Sequence, residues 1–514
     1  MEVDVRRVSA GMVALLVGAG VVGAGTAARA AEAVSGAAPG TASVAVSGAA
    51  PGRTPGTVRG AEDIADQLKA IPGMAVTEKP SSLPGYRWFW LRYRQPVDHR
   101  RPDGQWFEQR IMLQHAAADR PMVLYTSGYG TPETMFKAEP TALVNGNQIS
   151  VEYRYFSPSR PEPARWSKDT IWQAATDEHR IVGALKRIYR ARWISTGASK
   201  GGMTAVYHKR FYPRDVDGSV VYVAPNDVRN DDDRAYDRFF ATVGSDPGCR
   251  AHVKALAREI LKRRPAMLAR VKADAAKNGW TYSILRTPDR AFENSVMDYE
   301  WGFWQYKLQS DCASLPKTDA SDDDLYRSLD EVSGVSFYTD QGLKDYVPYY
   351  YQAGTQLGWA KPQFTHLRPL LRYESSYQPR TYVPRSIPMR FDGGRAMRDI
   401  DSWVRTKGNH MLFLYGANDP WGAEPFRLGR GTRDSAVYTA PGMNHSGRMI
   451  EKLAAGDRAK ATQSVLRWAN VSPDARKLFG RLDATDPLRL ERPRCDHRVG
   501  GTRGTGGTRP SRPA

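Results

Sequence analysis

The sequence predicts an α/β fold on a mostly parallel sheet, interrupted by a large, mainly helical cap. Three observations predict it. Short apolar runs at 121–130, 148–156, 192–199 and 218–225 read as buried parallel strands. Apolar residues at helical spacing, Ile171, Ala174, Ala175, Ile181, Leu185 and Ile188, separate the second run from the third. The alternation then stops, and residues 226–404 are charged, aromatic and helical in pattern before strand-loop patterning resumes at His410.

Taken in order, residues 1–30 read as an export signal. Arg6 and Arg7 precede a glycine-diluted apolar run from Gly11 to Ala28, and Ala28-Arg29-Ala30 offers the small residues that a signal peptidase reads. That run is short and broken by glycine, and no later segment reaches the roughly 18 unbroken apolar residues of a membrane span. A secreted, extracellular protein without membrane insertion is expected. Residues 31–60 are a low-complexity leader or pro-segment in which VSGAAPG occurs at Val34 and again at Val46. Such composition buries too little apolar surface to offset its ordering entropy.

The core begins at 61, and its first part runs to 225. YRWFWLRYRQPVDH and GQWFEQRIMLQH, joined by RRPDG, read as two antiparallel strands ahead of the parallel ones. The insertion at 226–404 has the size of a cap or lid domain. The second part of the core, 405–492, holds HMLFLYGANDPW (410–421), SAVYTAPGMNH (435–445) and a last helix in EKLAAGDRAKATQSVLRWAN. Residues 493–514 read as a disordered basic tail.

Among the 514 residues, 74 Lys and Arg against 55 Asp and Glu leave a net charge of +19. The positive residues are scattered, and no helix-turn-helix, zinc-finger or RNA-binding signature accompanies them, so no nucleic-acid partner is expected. Three cysteines in an exported chain predict one disulfide. Cys249 and Cys312 lie in the globular part and are expected to pair, leaving Cys495 at the edge of the tail. No HExxH, paired-cysteine motif or compact His/Asp cluster is present, and NDDDR at 230–234 lacks calcium-loop spacing, so neither metal nor cofactor is expected. A monomer is expected.

Gly197-Ala198-Ser199-Lys200-Gly201 matches G-x-S-x-G, the sharp strand-to-helix turn that lifts a nucleophilic serine off the sheet. An ordinary tight turn also uses such residues. Position decides between them, because this match follows a strand and opens a helix. A serine hydroxyl needs a base, and the base needs an orienting carboxylate, in the chain order Ser, Asp or Glu, His. Beyond the resumed strand, His445 sits in the loop APGMNHSGR and His497 in the tail, so His445 is the base expected. Asp419 in LYGANDPW is the expected carboxylate, with Asp434 and Glu424 as alternatives. An oxyanion hole needs two converging N–H groups. One is expected from Lys200 and the other from SGYG (127–130), through Gly128 or Tyr129.

STGASKGGMT, LYGANDPW, APGMNHSGR, RQPVDH with FEQR, and VEYRYFSPSRP together resemble the secreted bacterial prolyl tri/tetrapeptidyl aminopeptidases, from about Ala61 to Arg492. The resemblance implies an α/β-hydrolase core, a Ser199, Asp419, His445 triad, and release of short peptides from free N-termini, often after proline. Such an enzyme needs a carboxylate for the substrate ammonium and a wall against longer extensions. Glu300 and Glu152 are the candidate carboxylates, and Trp301 and Trp304 beside Glu300 are candidates to line a proline pocket. A secreted lipase or esterase on the same scaffold is the alternative, since elbow and triad do not separate esters from amides. A third reading, a catalytically dead binding protein, requires an idle Ser199.

Overall fold

The computed structural model describes residues 63–473. The expected export signal (1–30), leader (31–60) and basic tail (493–514), with Cys495 and His497, lie outside the described residues. Among those described, nine strands form one sheet in the order β1-β2-β3-β5-β4-β6-β7-β8-β9.

The strands are β1 (Met74–Lys79), β2 (Arg87–Pro96), β3 (Trp106–His115), β4 (Met122–Thr126) and β5 (Asn147–Val151), then β6 (Trp193–Ala198), β7 (Gly218–Tyr222), β8 (Met411–Gly416) and β9 (Ala436–Ala440). β1, β2 and β3 pair antiparallel, and β3 joins β5 antiparallel. From β5 to β9 every pairing is parallel. Strands buried on both faces need continuous apolar runs. β6 and β8 are buried at every residue, as WISTGA and MLFLYG require. β1 is absent from the sequence-based expectation. MAVTEK is an edge strand with most side chains in solvent, so it carries little apolar signal.

Helices α1 (Ile64–Lys69), α2 (Glu139–Val144), α3 (Ile171–Leu185) and α4 (Lys200–Phe211) belong to the first part of the core. Between β7 and β8 come α5 (Arg234–Thr242), α6 (Pro247–Lys262), α7 (Arg264–Asn278), α8 (Pro288–Met297), α9 (Tyr299–Tyr306), α10 (Asp322–Ser333), α11 (Asp340–Lys344), α12 (Val347–Gln352) and α13 (Arg395–Lys407). α5 to α10 share an apolar cluster of their own around Trp301, Phe303, Trp304, Val253 and Leu256. α13 does not belong with them. Its Met397, Ile400, Trp403 and Val404 pack with Met203 and Val206 of α4 and with Met411 and Phe413 of β8. The expected boundary at 404 therefore falls inside a helix of the core, and the inserted helices end before Arg395. Helical spacing shows which face is apolar but not what covers it. α14 (Ala455–Trp468), the last described helix, packs against β7 and α2, with Trp468 on Gly218.

Behind the sheet's antiparallel end lies a buried ion pair. Arg154 binds Asp177 through Nε (2.6 Å) and Nη2 (2.7 Å), and its Nη1 donates to the carbonyls of Val97 and Lys168. His99 Nε2 sits 2.6 Å from the same carboxylate. Arg154 and Asp177 are wholly buried, so removing one partner leaves the other charged in low dielectric. Arg154→Met is expected to cost about 3–5 kcal/mol in urea unfolding.

Candidate active site

Ser199 stands where β6 gives way to α4. Its backbone has φ 56° and ψ −128°, a conformation that side chains rarely adopt, and its N–H donates to Tyr222 O at 2.9 Å. The turn is this sharp because α4 starts directly beneath the neighbouring β4 loop. A Cβ on Gly201 would lie 2.3 Å from Thr126 O, and one on Gly128 would lie 2.5 Å from Gly201 N. Only glycine fits at either position. Thr126 Oγ1 closes the contact by donating to Gly201 O at 2.6 Å. Ser199 is half-buried.

Asp419 follows β8 and His445 follows β9, two and three strands across from the elbow at the end of β6. His445 Nδ1 lies 2.7 Å from Asp419 Oδ2, and both side chains are buried. Asp419 Oδ1 accepts from Trp421 N at 3.0 Å, which fixes the carboxylate plane. His445 Nε2 has no hydrogen-bond partner among the described residues. Gly447, two residues on, lines one small cavity with Gly197 and Ala198, so the histidine loop lies over the elbow. The alternatives to Asp419 are engaged elsewhere. Asp434 binds Trp468 Nε1 and Arg467, and Glu424 is grouped with Asp227 and Asp233.

The loop after β4 approaches from the other side. Lys200 is 1% exposed, and its ammonium donates to Gly128 O at 2.8 Å. The same nitrogen lies 3.1 Å from the ring centre of Tyr153 and 5.8 Å from those of Tyr129 and Phe156. Tyr129 O accepts from Tyr153 N at 2.9 Å and from Ser127 Oγ at 2.7 Å. Its N–H is turned back towards Ser127 Oγ, 3.4 Å away. The Tyr129 ring packs against Phe156 and Tyr349, each 5.6 Å away between centroids. No group of three or more His, Cys, Asp or Glu side chains among the described residues could hold a metal, and no described helix is long and apolar enough to cross a membrane.

A strand-to-helix elbow bearing a serine, together with a buried Asp–His pair, narrows the chain to a class, and comparison with known proteins narrows it further. A family model described as PS-10 peptidase S37 matches residues 58–501. This chain belongs to the S37 peptidases. The S37 chain is 54% identical over 416 residues to the prolyl tri/tetrapeptidyl aminopeptidase of Streptomyces mobaraensis, covering 80% of this chain and 86% of that protein. Among solved structures, the proline iminopeptidase of Mycobacterium smegmatis is 14% identical with a TM-score of 0.33, covering 77% of this chain and 99% of its own. VinJ is 12% identical with a TM-score of 0.34, over 77% and 98%. At those scores the α/β-hydrolase core of this serine peptidase rests on its strand order, not on superposition.

The remaining candidates separate clearly in the S37 peptidase. Glu152 is wholly buried, and both its oxygens are taken. Oε2 accepts from Arg110 (2.6 Å) and Thr131 N, and Oε1 from Ser159 Oγ (2.7 Å) and Ser159 N. It braces the loop after β4 and has no oxygen left for a substrate. Trp304 is fully buried in the cap cluster against Gly244, so it lines no pocket. Glu300 and Trp301 do line one, a cavity of about 450 Å³ shared with Lys254, Arg238 and His366. Cys249 and Cys312 form a disulfide, Cα to Cα 5.7 Å.

Two features of the S37 site escaped the sequence. His445 N donates to Gln305 O of α9 at 3.2 Å, and Asn444 Nδ2 donates to Lys307 O at 3.2 Å, so a cap helix holds the histidine loop. Behind the elbow, Asp169 and Glu178 both act on Lys200. Burial pushes the Lys200 ammonium down to about 7 and the Asp169 carboxyl up to about 7. It drives Glu178, with Asp177 adding repulsion, well above the carboxylate range. Nothing in the local sequence pattern signals this cluster.

A folded-state carboxyl that titrates above its unfolded value, 4.5 for Glu178, contributes stability that is full below that value and is lost as pH rises. Glu178→Gln removes this loss. The variant is expected to gain on the parent in urea midpoint as pH rises above about 4.5, and a gap constant with pH would refute this account. Gly201→Ala is expected to cut turnover at least about tenfold, because the elbow must move to relieve the Thr126 clash.

Proposed function

We propose that this S37 peptidase is a secreted serine aminopeptidase that releases tri- or tetrapeptides from free N-termini, often after proline. The buried Asp419–His445 pair, with Nε2 unpartnered beside the Ser199 elbow, carries the reading. Neutral His445 takes the Ser199 proton as Oγ attacks the scissile carbonyl, and Asp419 steadies the imidazolium. The Lys200 N–H and the loop after β4 hold the oxyanion. Return of the proton to the leaving amine gives an acyl-enzyme, and water then releases the peptide. The enzyme works as a monomer on peptide substrates, without cofactor.

Glu300 is the carboxylate proposed for the substrate ammonium. Burial pushes it up to about 7, and its nearest cation, Lys254 Nζ, stands 3.5 Å away. Glu300 and the His445-bound Gln305 share α9. Five residues of helix rise roughly 7.5 Å, of the order of two to three residues of extended peptide. Trp301, edge-on to Trp421 at 4.7 Å, is the wall proposed beside it. The lipase or esterase reading draws on the same elbow, and the identity to a named aminopeptidase favours the peptidase.

The deciding assay compares a tripeptidyl arylamide ending in proline with its N-acetylated form and with a short-chain ester. Acetylation is expected to lower kcat/KM by about 30-fold or more, the loss for a buried charge pair with one partner removed. Equal turnover of free and acetylated substrate sinks the exopeptidase reading, and preference for the ester supports the alternative. Glu300→Gln is expected to raise KM for the free-amine substrate about tenfold and leave the acetylated one unchanged.

A further inference from the structure

We propose that the cap carries a second site, separate from the reaction, which binds a free tetrahedral oxyanion, inorganic phosphate or sulfate, among four arginines. It shares no residue with the Glu300 cavity or with the small cavity at the elbow.

A cavity of about 200 Å³ opens where the loop before α8 meets residues 375–385. Arg286, Arg290, Arg380 and Arg385 line it, with Ser375 and Thr381 beside them. No carboxylate lines it, and none of the four arginines is ion-paired among the described residues. Other cap arginines do find acids. Arg263 pairs with Glu259 at 3.0 Å and Arg270 with Asp323 at 2.7 Å. The acids nearest the cavity in sequence have other partners. Asp289 accepts from Arg264 Nη1 (2.5 Å), Arg372 Nη1 (3.2 Å) and the Tyr373 hydroxyl (3.2 Å), and Glu374 pairs with Arg368 at 3.3 Å.

Two of the guanidiniums are fixed in place without being neutralised. Arg380 donates from Nη1 to Ile387 O (2.7 Å) and from Nη2 to Val383 O (2.9 Å) and Pro384 O (2.7 Å). Arg290 lies over the Tyr373 ring at 5.1 Å, and its Nε is buried with no hydrogen-bond partner among the described residues. A buried donor without an acceptor costs free energy. Burial, and then the charge of Arg385, hold the Arg380 guanidinium below its usual range. Like charges gathered in this way repel one another, and an anion among them replaces repulsion with attraction.

The donors suit a tetrahedral oxyanion. A guanidinium fork matches two oxygens of phosphate or sulfate, and the Ser375 and Thr381 hydroxyls offer donors for the others. The cavity is smaller than the roughly 300–1,000 Å³ of sites for drug-sized ligands, so it fits a free ion rather than an ester with a large organic part. Bound there, the ion ties α8 to residues 375–385. It therefore stabilises the folded chain by mass action.

Isothermal titration of the full chain with sodium phosphate, at an ionic strength held constant with sodium chloride, tests this. One saturable site is expected, with sulfate competing, acetate not competing, and the Tm rising as phosphate is added. Arg290→Gln and Arg385→Ala are each expected to weaken phosphate binding about tenfold or more. Arg187→Ala, at an exposed arginine on α3, is expected to leave it unchanged. Arg385 is exposed, so its loss spares the fold. In phosphate-free buffer Arg385→Ala is expected to melt no lower than the parent, since a repulsion has gone, and in phosphate only the parent gains. If Arg290→Gln folds poorly, Arg286→Ala, at another exposed position, replaces it with the same expectation. No saturable phosphate site, or one as tight in Arg385→Ala as in the parent, overturns the proposal. So does acetate binding as tightly as phosphate, which assigns the arginines to a carboxylate. Phenyl phosphate binding more tightly than phosphate overturns it too, because the anion then belongs to a larger molecule.

Discussion

The site depends on one contact, the backbone of the loop after β4 pressed against the first turn of α4. Gly128 and Gly201 meet with no room for a Cβ, and Thr126 hydrogen-bonds across the junction. Such closeness sets three things at once. It forces Ser199 into its strained conformation, it brings the Gly128–Tyr129 peptide alongside the first turn of α4, and it leaves Lys200 nowhere to go but inward. A single added methyl would separate all three, which is why glycine rather than any small residue stands on both sides.

The inward lysine answers to electrostatics as much as sterics. An ammonium that is 1% exposed needs acceptors, and it finds a carbonyl and an aromatic face, while two acidic side chains whose own burial disfavours their charge act on it electrostatically. Tyr153, whose ring it touches, hydrogen-bonds Gln352 of α12, and Gln352 in turn bonds Asp169. Lys200 thus joins the sheet, the loop after β4 and the cap through one buried network. Arg154 and Asp177 do comparable work further back, but as a full bidentate ion pair.

Much of this was legible in the sequence where local pattern decides the outcome. The strands from β2 to β9 announce themselves as aromatic or apolar runs, and the elbow, Asp419 and His445 by motif and order. What stayed hidden depends on partners far along the chain. Glu152 looked available until Arg110 and Ser159 took both its oxygens. Trp304 looked like a pocket wall until Gly244 covered it. α13 carried the apolar spacing of a cap helix and packed on the sheet instead. The motif points to the backbone N–H of Lys200, yet its ammonium makes the close contacts, to Gly128 O and the Tyr153 ring. A motif states where a main chain must bend; it does not say how far a side chain then reaches.

The bonds from the His445 loop to Gln305 and Lys307 join the proposed base to the cap as well as to the sheet that carries it. They work as an interlock. A displacement of α9 must break them, and the imidazole then keeps only its bond to Asp419. On the proposed mechanism, opening at α9 and loosening of the base are therefore one mechanical event.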